Sequence, residues 1–286
     1  MEAGYDYLLL RSRFPRRFAR FTGVFLLVFG ILLLASGGAY YGYAAKARSN
    51  LDSLQVSVDL VPRPPAGEPF VPPPRVVPSF SPGTISDTPL YPGEALSADS
   101  WTSPRSYEPL ELREQTLLEG FTSIDPTGPA LSGAIAPATR IIIPAIDIDS
   151  TITELSILDL GDSRTYETPK NSVGHIPETA NAGETGDSWY FGHTESPLRG
   201  EGSVFFTLQN VPDRLKNGET IYIITDNGSD RFLYRATGTR VVHQDDMRLI
   251  ESGGNNIHLV SCVPRLVYDY RLVVTGELIA KQPAPA

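Results

Sequence analysis

The carboxyl-terminal half of the chain predicts an all-β domain, either a sandwich or a closed barrel. From about Ala138 onward, short segments rich in Ile, Val, Tyr and Thr alternate with turns made of Gly, Asp, Asn and Pro. Their spacing is typical of all-β folds, and helical periodicity is scarce. At roughly 145 residues this stretch is long enough for one hydrophobic core.

Seven strands are predicted in order: Thr139–Ile143, Thr151–Ile157, Ser188–Phe191, Thr220–Thr225, Arg231–Val242, Ile257–Cys262 and Tyr270–Ile279. The sequence Asp226-Asn227-Gly228, between the fourth and fifth strands, is typical of a hairpin turn. Val204–Gln209 is expected to form a single helical turn. We take residues 138–280 as the domain and 281–286 as a short tail.

The amino terminus predicts a membrane anchor at residues 21–43, which carry no charge. About 20 apolar residues suffice for a helix to cross the hydrocarbon core. The arginines of the 1–20 tail are expected to stay in the cytoplasm and to place the rest of the chain outside. A cleaved signal peptide ending near Ala45-Lys46-Ala47 is the alternative, although the apolar stretch is longer than a usual signal core.

Residues 44–137 are predicted to be an extended linker, because sixteen of the 25 prolines lie between 62 and 137. Proline removes a backbone donor and fixes φ, which interrupts helices and sheets. One island, Tyr107–Glu119, could form a short amphipathic helix that docks on the domain.

The net charge of −9 and the pI near 5.0 argue against a nucleic-acid-binding protein, which needs a basic face.

Cys262 is the only cysteine in a chain that is predicted to be exported, so it has no disulfide partner of its own. It is either a small buried hydrophobe or a nucleophile, since a thiolate attacks carbonyl carbon.

A nucleophilic thiol needs a base, and the chain has four histidines. His258 precedes Cys262 by four residues on one strand, about 13 Å away, which is too far for proton transfer. His243 is followed by acidic residues and is predicted to lie in a solvated loop. His193 is favoured over His175 because it directly follows a short aromatic strand, where catalytic groups commonly lie.

Two arginines could stabilise an oxyanion. If the last two strands are antiparallel neighbours, Arg271 returns beside Cys262, because directly opposed side chains lie about 5 Å apart. Arg265 is expected to point from the connecting loop.

The order His193, Cys262, Arg271 resembles that of the sortases, which are cysteine transpeptidases of the cell surface. The resemblance spans about 138–280 and rests on these three residues and on further landmarks in a similar order, namely Arg140–Ile146, Gly183–Ser188, Tyr190–His193, Asn217–Ile221, Leu259–Pro264 and Arg271–Val274. It implies a closed β-barrel of about eight strands with short helical turns.

Two departures bear on the type of sortase. The family often has Thr-Leu-x-Thr-Cys, whereas this chain has His258 at the first position and Ser261 before Cys262. Asp125-Pro126-Thr127 lacks the aromatic residue of the lid motif in pilin-polymerising sortases, and no second apolar segment follows Ala280. We therefore expect an anchoring or housekeeping type rather than a lidded pilin polymerase.

The resemblance implies that Cys262 cleaves an LPXTG-like sorting signal through a thioester, with His193 as general acid and base and Arg271 at the oxyanion. The partners would be surface proteins bearing that signal and an amine acceptor, either a cell-wall precursor or a pilin lysine. No cofactor and no metal are expected, because no dense acidic loop is present.

Three alternatives remain. L,D-transpeptidases carry a glycine before the cysteine that this chain lacks, and papain-like peptidases place Cys before His. A membrane-tethered, non-catalytic β-domain for adhesion or assembly, with Cys262 packed in its strand, is the alternative outside the enzymes.

Overall fold

The computed structural model describes residues 16–58, 65–72, 110–125, 135–159, 164–196 and 200–284. It contains two compact units, divided after Asn50.

The first unit is dominated by helix α1 (Arg16–Ser49). The exposed fraction of its large aliphatic and phenylalanine side chains runs from 49% at Val28 to 79% at Leu34. Within the part of the chain that the structure describes, it is the one helix long and apolar enough to cross a membrane. Such exposure is compatible with a lipid surrounding, and α1 is therefore a candidate anchor.

The described residues of the second unit contain twelve strands and two short helices. The strands are β1 (Val56–Ser57), β2 (Thr122–Ser123), β3 (Arg140–Ile143), β4 (Ile148–Glu154), β5 (Ile157–Asp159), β6 (Arg164–Tyr166), β7 (Val173–His175), β8 (Gly186–Phe191), β9 (Tyr222–Asp226), β10 (Asp230–His243), β11 (Asn255–Val263) and β12 (Tyr270–Pro283). The helices are α2 (Leu110–Leu118) and α3 (Val211–Lys216).

Eight of these strands form a closed barrel in the order β10-β9-β3-β4-β7-β8-β11-β12, and β12 pairs with β10 to complete the ring. The pairings β4–β7 and β8–β11 are parallel, and the others in the ring are antiparallel. The prediction of a closed barrel of about eight strands is confirmed.

The predicted strands match barrel strands with small shifts at their ends, except in one region. The segment predicted as Thr151–Ile157 is divided between β4 and β5. Strand β7 was not predicted, because three residues are too few to show an alternating pattern. The predicted helical turn is observed one residue or two later, as a 3₁₀ turn at Phe206–Asn210 that continues into α3.

Three segments from the range expected to be linker lie on the barrel. Leu51 is 6% exposed in the main core, and β1 pairs with β10. The segment 65–72 hydrogen-bonds to the residues around β2, with Phe70 N donating to Phe121 O at 2.8 Å, and β2 pairs with β12.

The last two segments bury a second cluster against the barrel. Leu118 and Phe121 are each 1% exposed, and with Phe70 they pack on barrel residues of β9, β10 and β12 that include Tyr222 and Leu233. These residues provide apolar surface that the proline-rich stretch buries against the barrel, and the proline content alone does not reveal this. Pro126 and Thr127 of the lid-like sequence lie outside the described residues.

Candidate active site

His193, Cys262 and Arg271 lie at about the same height along three neighbouring strands of the barrel. In the parallel pair β8–β11, Phe191 lies beside Val260, and Gly192 N donates to Val260 O at 3.1 Å. His193 and Cys262 each follow two residues later in the chain. Cys262 lies directly opposite Arg271 in the antiparallel pair β11–β12, as strand geometry predicted.

The side chains of His193, Cys262 and Arg271 line one cavity of about 330 Å³. Most of the remaining wall is apolar, formed by Leu155, Tyr166, Pro169, Ile176, Phe191 and Val260. A concave, mainly apolar surface with a few convergent polar groups is the usual form of a ligand site.

The Cys262 thiol stands in a desolvated position. Burial raises its pKa above the ordinary value of 9.0, while the charge of Arg271 acts in the opposite direction. The thiol is therefore protonated at neutral pH in the unliganded protein, and Arg271 is the cation that favours its thiolate form.

The Arg271 guanidinium is fixed by three hydrogen bonds. Nη1 donates to Tyr268 O at 2.8 Å and to Tyr270 O at 3.1 Å, and Nη2 donates to Gln244 Oε1 at 3.2 Å. All three acceptors are neutral, so the positive charge of Arg271 is not cancelled by these contacts.

His193 is 22% exposed, and its Nε2 atom is buried without a hydrogen-bond partner among the described residues. The Glu201 carboxylate lies 3.6 Å from that nitrogen, which is an electrostatic contact rather than a hydrogen bond. Ser196 Oγ donates to the same Glu201 oxygen at 3.1 Å. The buried Nε2 atom of His193 thus lies beside a carboxylate without a hydrogen bond to it.

The segment around His193 leaves β8 through Gly192, which packs against Phe205. A Cβ atom at position 192 would lie 2.5 Å from the Phe205 ring, so only glycine fits. Phe205 N also donates to His193 O at 2.9 Å. This packing therefore fixes the backbone position of His193.

The other three histidines have structural partners. His175 is 1% exposed, and its Nδ1 atom lies 2.7 Å from Glu154 Oε1. His258 stacks on Trp189 with ring centroids 4.1 Å apart and contacts Asp187 and Thr275, away from the cavity. His243 lies at the end of β10, where its ring packs edge-on against Tyr270 at 5.1 Å.

Arg265 is not part of the cavity lining. Its Nη2 atom donates to Glu195 Oε2 at 2.8 Å, and its guanidinium lies 4.9 Å from the centre of the Phe206 ring. It is therefore a loop residue, as expected, with a structural contact to the segment after His193.

Sequence reasoning missed the wall at Tyr166–Pro169 and the acidic neighbour Glu201. The wall follows the small β5–β6 hairpin, whose three-residue strands carry too little pattern to be read. Glu201 stands between two glycines, a signal only of a turn. Among the described residues, no group of three or more His, Cys, Asp or Glu side chains is placed to share a metal ion.

Comparison with protein-family models finds a match to the sortase domain over residues 141–279, a span that includes His193, Cys262 and Arg271. This part of the chain belongs to the sortase family. Sortases are transpeptidases, and the resemblance identified in the sequence is thereby confirmed at the level of the family.

The sortase domain is also similar to solved sortase structures. Sortase A of Listeria monocytogenes is 16% identical with a TM-score of 0.40, over 53% of this chain and 92% of that one. Sortase C-3 of Streptococcus pneumoniae is 21% identical with a TM-score of 0.40, over 53% and 67%. The sortase SrtA of Actinomyces oris is 18% identical with a TM-score of 0.38, over 57% and 91%. A search of curated proteins found no significant match.

Proposed function

We propose that this sortase is a membrane-anchored cysteine transpeptidase that cleaves an LPXTG-like sorting signal through a thioester on Cys262. It then transfers the cleaved protein to an amine acceptor, either a cell-wall precursor or a pilin lysine. The observation that carries the proposal is the meeting of His193, Cys262 and Arg271 at one level of three adjacent strands, inside one cavity.

In the first half-reaction, Cys262 passes its thiol proton to His193 and its sulfur attacks the carbonyl carbon of the scissile peptide bond. Arg271 donates hydrogen bonds to the oxygen that becomes negatively charged in the tetrahedral intermediate. The intermediate collapses as the C–N bond breaks, and His193 gives its proton to the departing amine. The products are a thioester and a free amine.

In the second half-reaction, the acceptor amine attacks the thioester carbonyl from the same cavity. His193 takes a proton from the attacking nitrogen and returns it to the sulfur as the C–S bond breaks. A new amide is formed and the thiol is regenerated, so the cycle needs no external reductant or oxidant.

The cavity wall supports a substrate whose side chains near the scissile bond are partly apolar. Leu155, Ile176 and Val260 offer aliphatic surface, and Tyr166 and Phe191 offer aromatic surface. These groups suit the leucine and proline of an LPXTG-like signal, with the peptide carbonyl directed toward Cys262 and Arg271.

We place the protein in the cell membrane with a cytoplasmic amino terminus and the barrel outside. The apolar helix α1 and the arginines of the 1–20 tail support this orientation. We assign it to the anchoring or housekeeping type, because no aromatic residue follows Asp125-Pro126.

The test is mass spectrometry of the full-length protein in detergent after incubation with LPXTG-like peptides and triglycine. Since Cys262 is the only cysteine, any thioester or thiol adduct is assigned to it without mapping. We expect a thioester and a transpeptidated product with the wild type and neither with Cys262→Ala, whose circular dichroism should be unchanged. No adduct with any peptide, together with a thiol inert to iodoacetamide, would favour the tethered, non-catalytic β-domain.

A further inference from the structure

The contact that fixes Arg271 most closely comes from an unfavourable stretch of backbone. Tyr268, whose carbonyl accepts from Arg271 Nη1, has φ of 59°, and Leu266 two residues earlier has φ of 65°. Residues with a Cβ atom rarely occupy this left-handed region. A backbone of this kind persists when surrounding contacts determine it.

The side chain of Tyr268 supplies such a contact. Its hydroxyl donates to Glu195 Oε1 at 2.5 Å, and Arg265 Nη2 donates to the other Glu195 oxygen at 2.8 Å. The hydrogen bond from Arg265, followed by that from Tyr268, holds the pKa of Glu195 below its ordinary value. Glu195 is therefore a carboxylate at neutral pH, and hydrogen bonds to a charged acceptor are stronger than neutral ones.

Glu195 stands in the chain two residues after His193. The residue between them, Thr194, is 2% exposed and donates from Oγ1 to Cys262 O at 2.6 Å. Three consecutive residues thus have three different contacts: His193 lines the cavity, Thr194 binds the backbone of Cys262, and Glu195 binds the connection between β11 and β12.

We propose that Glu195 is a positioning residue for Arg271: through the Tyr268 hydroxyl it fixes the Tyr268 carbonyl, which in turn holds the guanidinium beside Cys262. The catalytic consequence of this arrangement rests on the function proposed above. The effect of Glu195 on the position of Arg271 does not depend on that function, because it can be measured from the reactivity of the Cys262 thiol without a peptide substrate.

The physical consequence concerns the thiolate of Cys262. Arg271 lowers the pKa of the Cys262 thiol, against the effect of burial. The other titratable groups in the cavity wall are His193, Tyr166 and Glu167. If the Tyr268 carbonyl loses its position, the guanidinium is held less closely, and the thiol titrates at higher pH.

The experiment measures the rate of iodoacetamide alkylation of Cys262 between pH 6 and 10 in the full-length protein in detergent. Arg271→Ala is expected to slow alkylation at pH 8 about tenfold, which corresponds to a pKa higher by about one unit. Tyr268→Phe and Glu195→Ala are each expected to slow it about threefold by the same relation. Glu195→Gln should lie nearer the wild type, since its amide oxygen can still accept from Tyr268.

Two comparisons make the result specific. The double variant Glu195→Ala/Tyr268→Phe should be no slower than Glu195→Ala alone, because Tyr268→Phe then removes a contact that is already lost. Glu219→Ala removes another carboxylate bound by an arginine, at 2.7 Å from Arg214, and should retain the wild-type profile. Circular dichroism of every variant checks that the fold is kept.

In the transpeptidation assay, Tyr268→Phe should lower kcat more than it raises KM, because the affected group acts on the transition state. The proposal is overturned if Tyr268→Phe and Glu195→Ala follow the wild-type alkylation profile, if Arg271→Ala does so, or if Glu219→Ala shifts it equally. A wild type that forms no thioester would refute the proposed function alone, since the alkylation profiles would still report on the position of Arg271.

Discussion

Cys262 and Arg271 are direct partners across the antiparallel strands β11 and β12. Directly opposed side chains on one sheet lie about 5 Å apart, so the guanidinium and the thiol share one wall of the cavity. A short connection joins the two strands, and the arginine donates to the Tyr268 carbonyl of that connection and to the Tyr270 carbonyl at the start of β12. One hairpin therefore carries both the proposed nucleophile and the proposed stabiliser of the oxyanion.

Replacing Arg271 by alanine is expected to lower kcat for transpeptidation about 10²- to 10³-fold, the usual effect of removing one oxyanion donor. Arg271→Lys should recover only part of this loss, because an ammonium lacks the planar fork of donors. Product formation from an LPXTG-like peptide and triglycine is the measurement. Arg214→Ala, at an arginine bound to Glu219, is the control. A kcat for Arg271→Ala within about threefold of the wild type would contradict the assigned role, since each 1.36 kcal/mol of lost stabilisation is tenfold in rate.

Gly192→Ala is expected to reduce both stability and activity. The new Cβ atom would meet the Phe205 ring at 2.5 Å, and overpacking of this kind costs about 1–3 kcal/mol of unfolding free energy. Because His193 follows directly, relief of the clash should also displace the imidazole and lower kcat. Urea unfolding and peptide turnover measure the two effects.

Gly218→Ala is the matched control for that substitution. Gly218 has φ of 80° and nothing within 4 Å of an added Cβ atom, so alanine there meets backbone strain without a steric clash. It should lower the midpoint of unfolding and leave kcat unchanged. Equal activity of the two variants would show that Gly192 has no influence on His193.

Phe121→Ala is expected to destabilise the barrel unit by about 3–5 kcal/mol, although it lies in the range that reads as linker. Phe121 is 1% exposed in the cluster that covers β9, β10 and β12. The midpoint of urea unfolding measures the loss. Val71→Ala, at a side chain 75% exposed, is the control and should stay within about 0.5 kcal/mol of the wild type. A Phe121→Ala midpoint equal to that of the control would mean that this segment does not stabilise the barrel.

His258 is expected to make the unfolding free energy fall as the pH decreases from about 6.5. Burial lowers the pKa of folded His258 below its ordinary value of 6.5, against the raising effect of Asp187. The unfolded chain therefore takes up the proton first, and acid favours unfolding until the pH reaches the folded pKa. One such group contributes up to about 1.4 kcal/mol per pH unit in that window.

The measurement is urea unfolding of the wild type and of His258→Gln at several pH values between 5 and 8. The variant should show a shallower dependence below pH 6.5, whatever its overall stability. Burial raises the pKa of Asp187, but its hydrogen bonds together lower it below its ordinary value of 3.8, so Asp187 acts outside this range. Identical slopes for the two proteins would refute the assignment.

The all-β class and the pairing of Cys262 with Arg271 were predictable because they depend on local patterns, whereas the closed barrel was implied by the resemblance to the sortases. Long alternating strands and short turns are visible in the residues, and two strands joined by a short connection tend to pair as a hairpin. The family match then confirmed the resemblance. The catalytic roles of His193, Cys262 and Arg271 stay predictions.

What the sequence did not reveal depends on contacts between distant segments. Phe121 packs in one cluster with Phe70, which lies across a long proline-rich interval of the chain, and Glu195 binds Tyr268, which lies 73 residues later. Neither contact leaves a periodic trace in the chain. His258 departs from the family pattern in the sequence, and the structure places it in a buried network with Asp187, which lies 71 residues earlier in the chain.

The parallel pairing of β8 with β11 has a consequence for how the chain folds. These two strands bring His193 and Cys262 together, yet α3 and the β9–β10 hairpin lie between them in the sequence. The hairpin can form locally and early, whereas the parallel pair closes a much longer loop and should form late. Newly made protein would then acquire its barrel hairpins before the Cys262 thiol and the His193 imidazole meet in one cavity, so that the proposed active site forms at the last stage of folding.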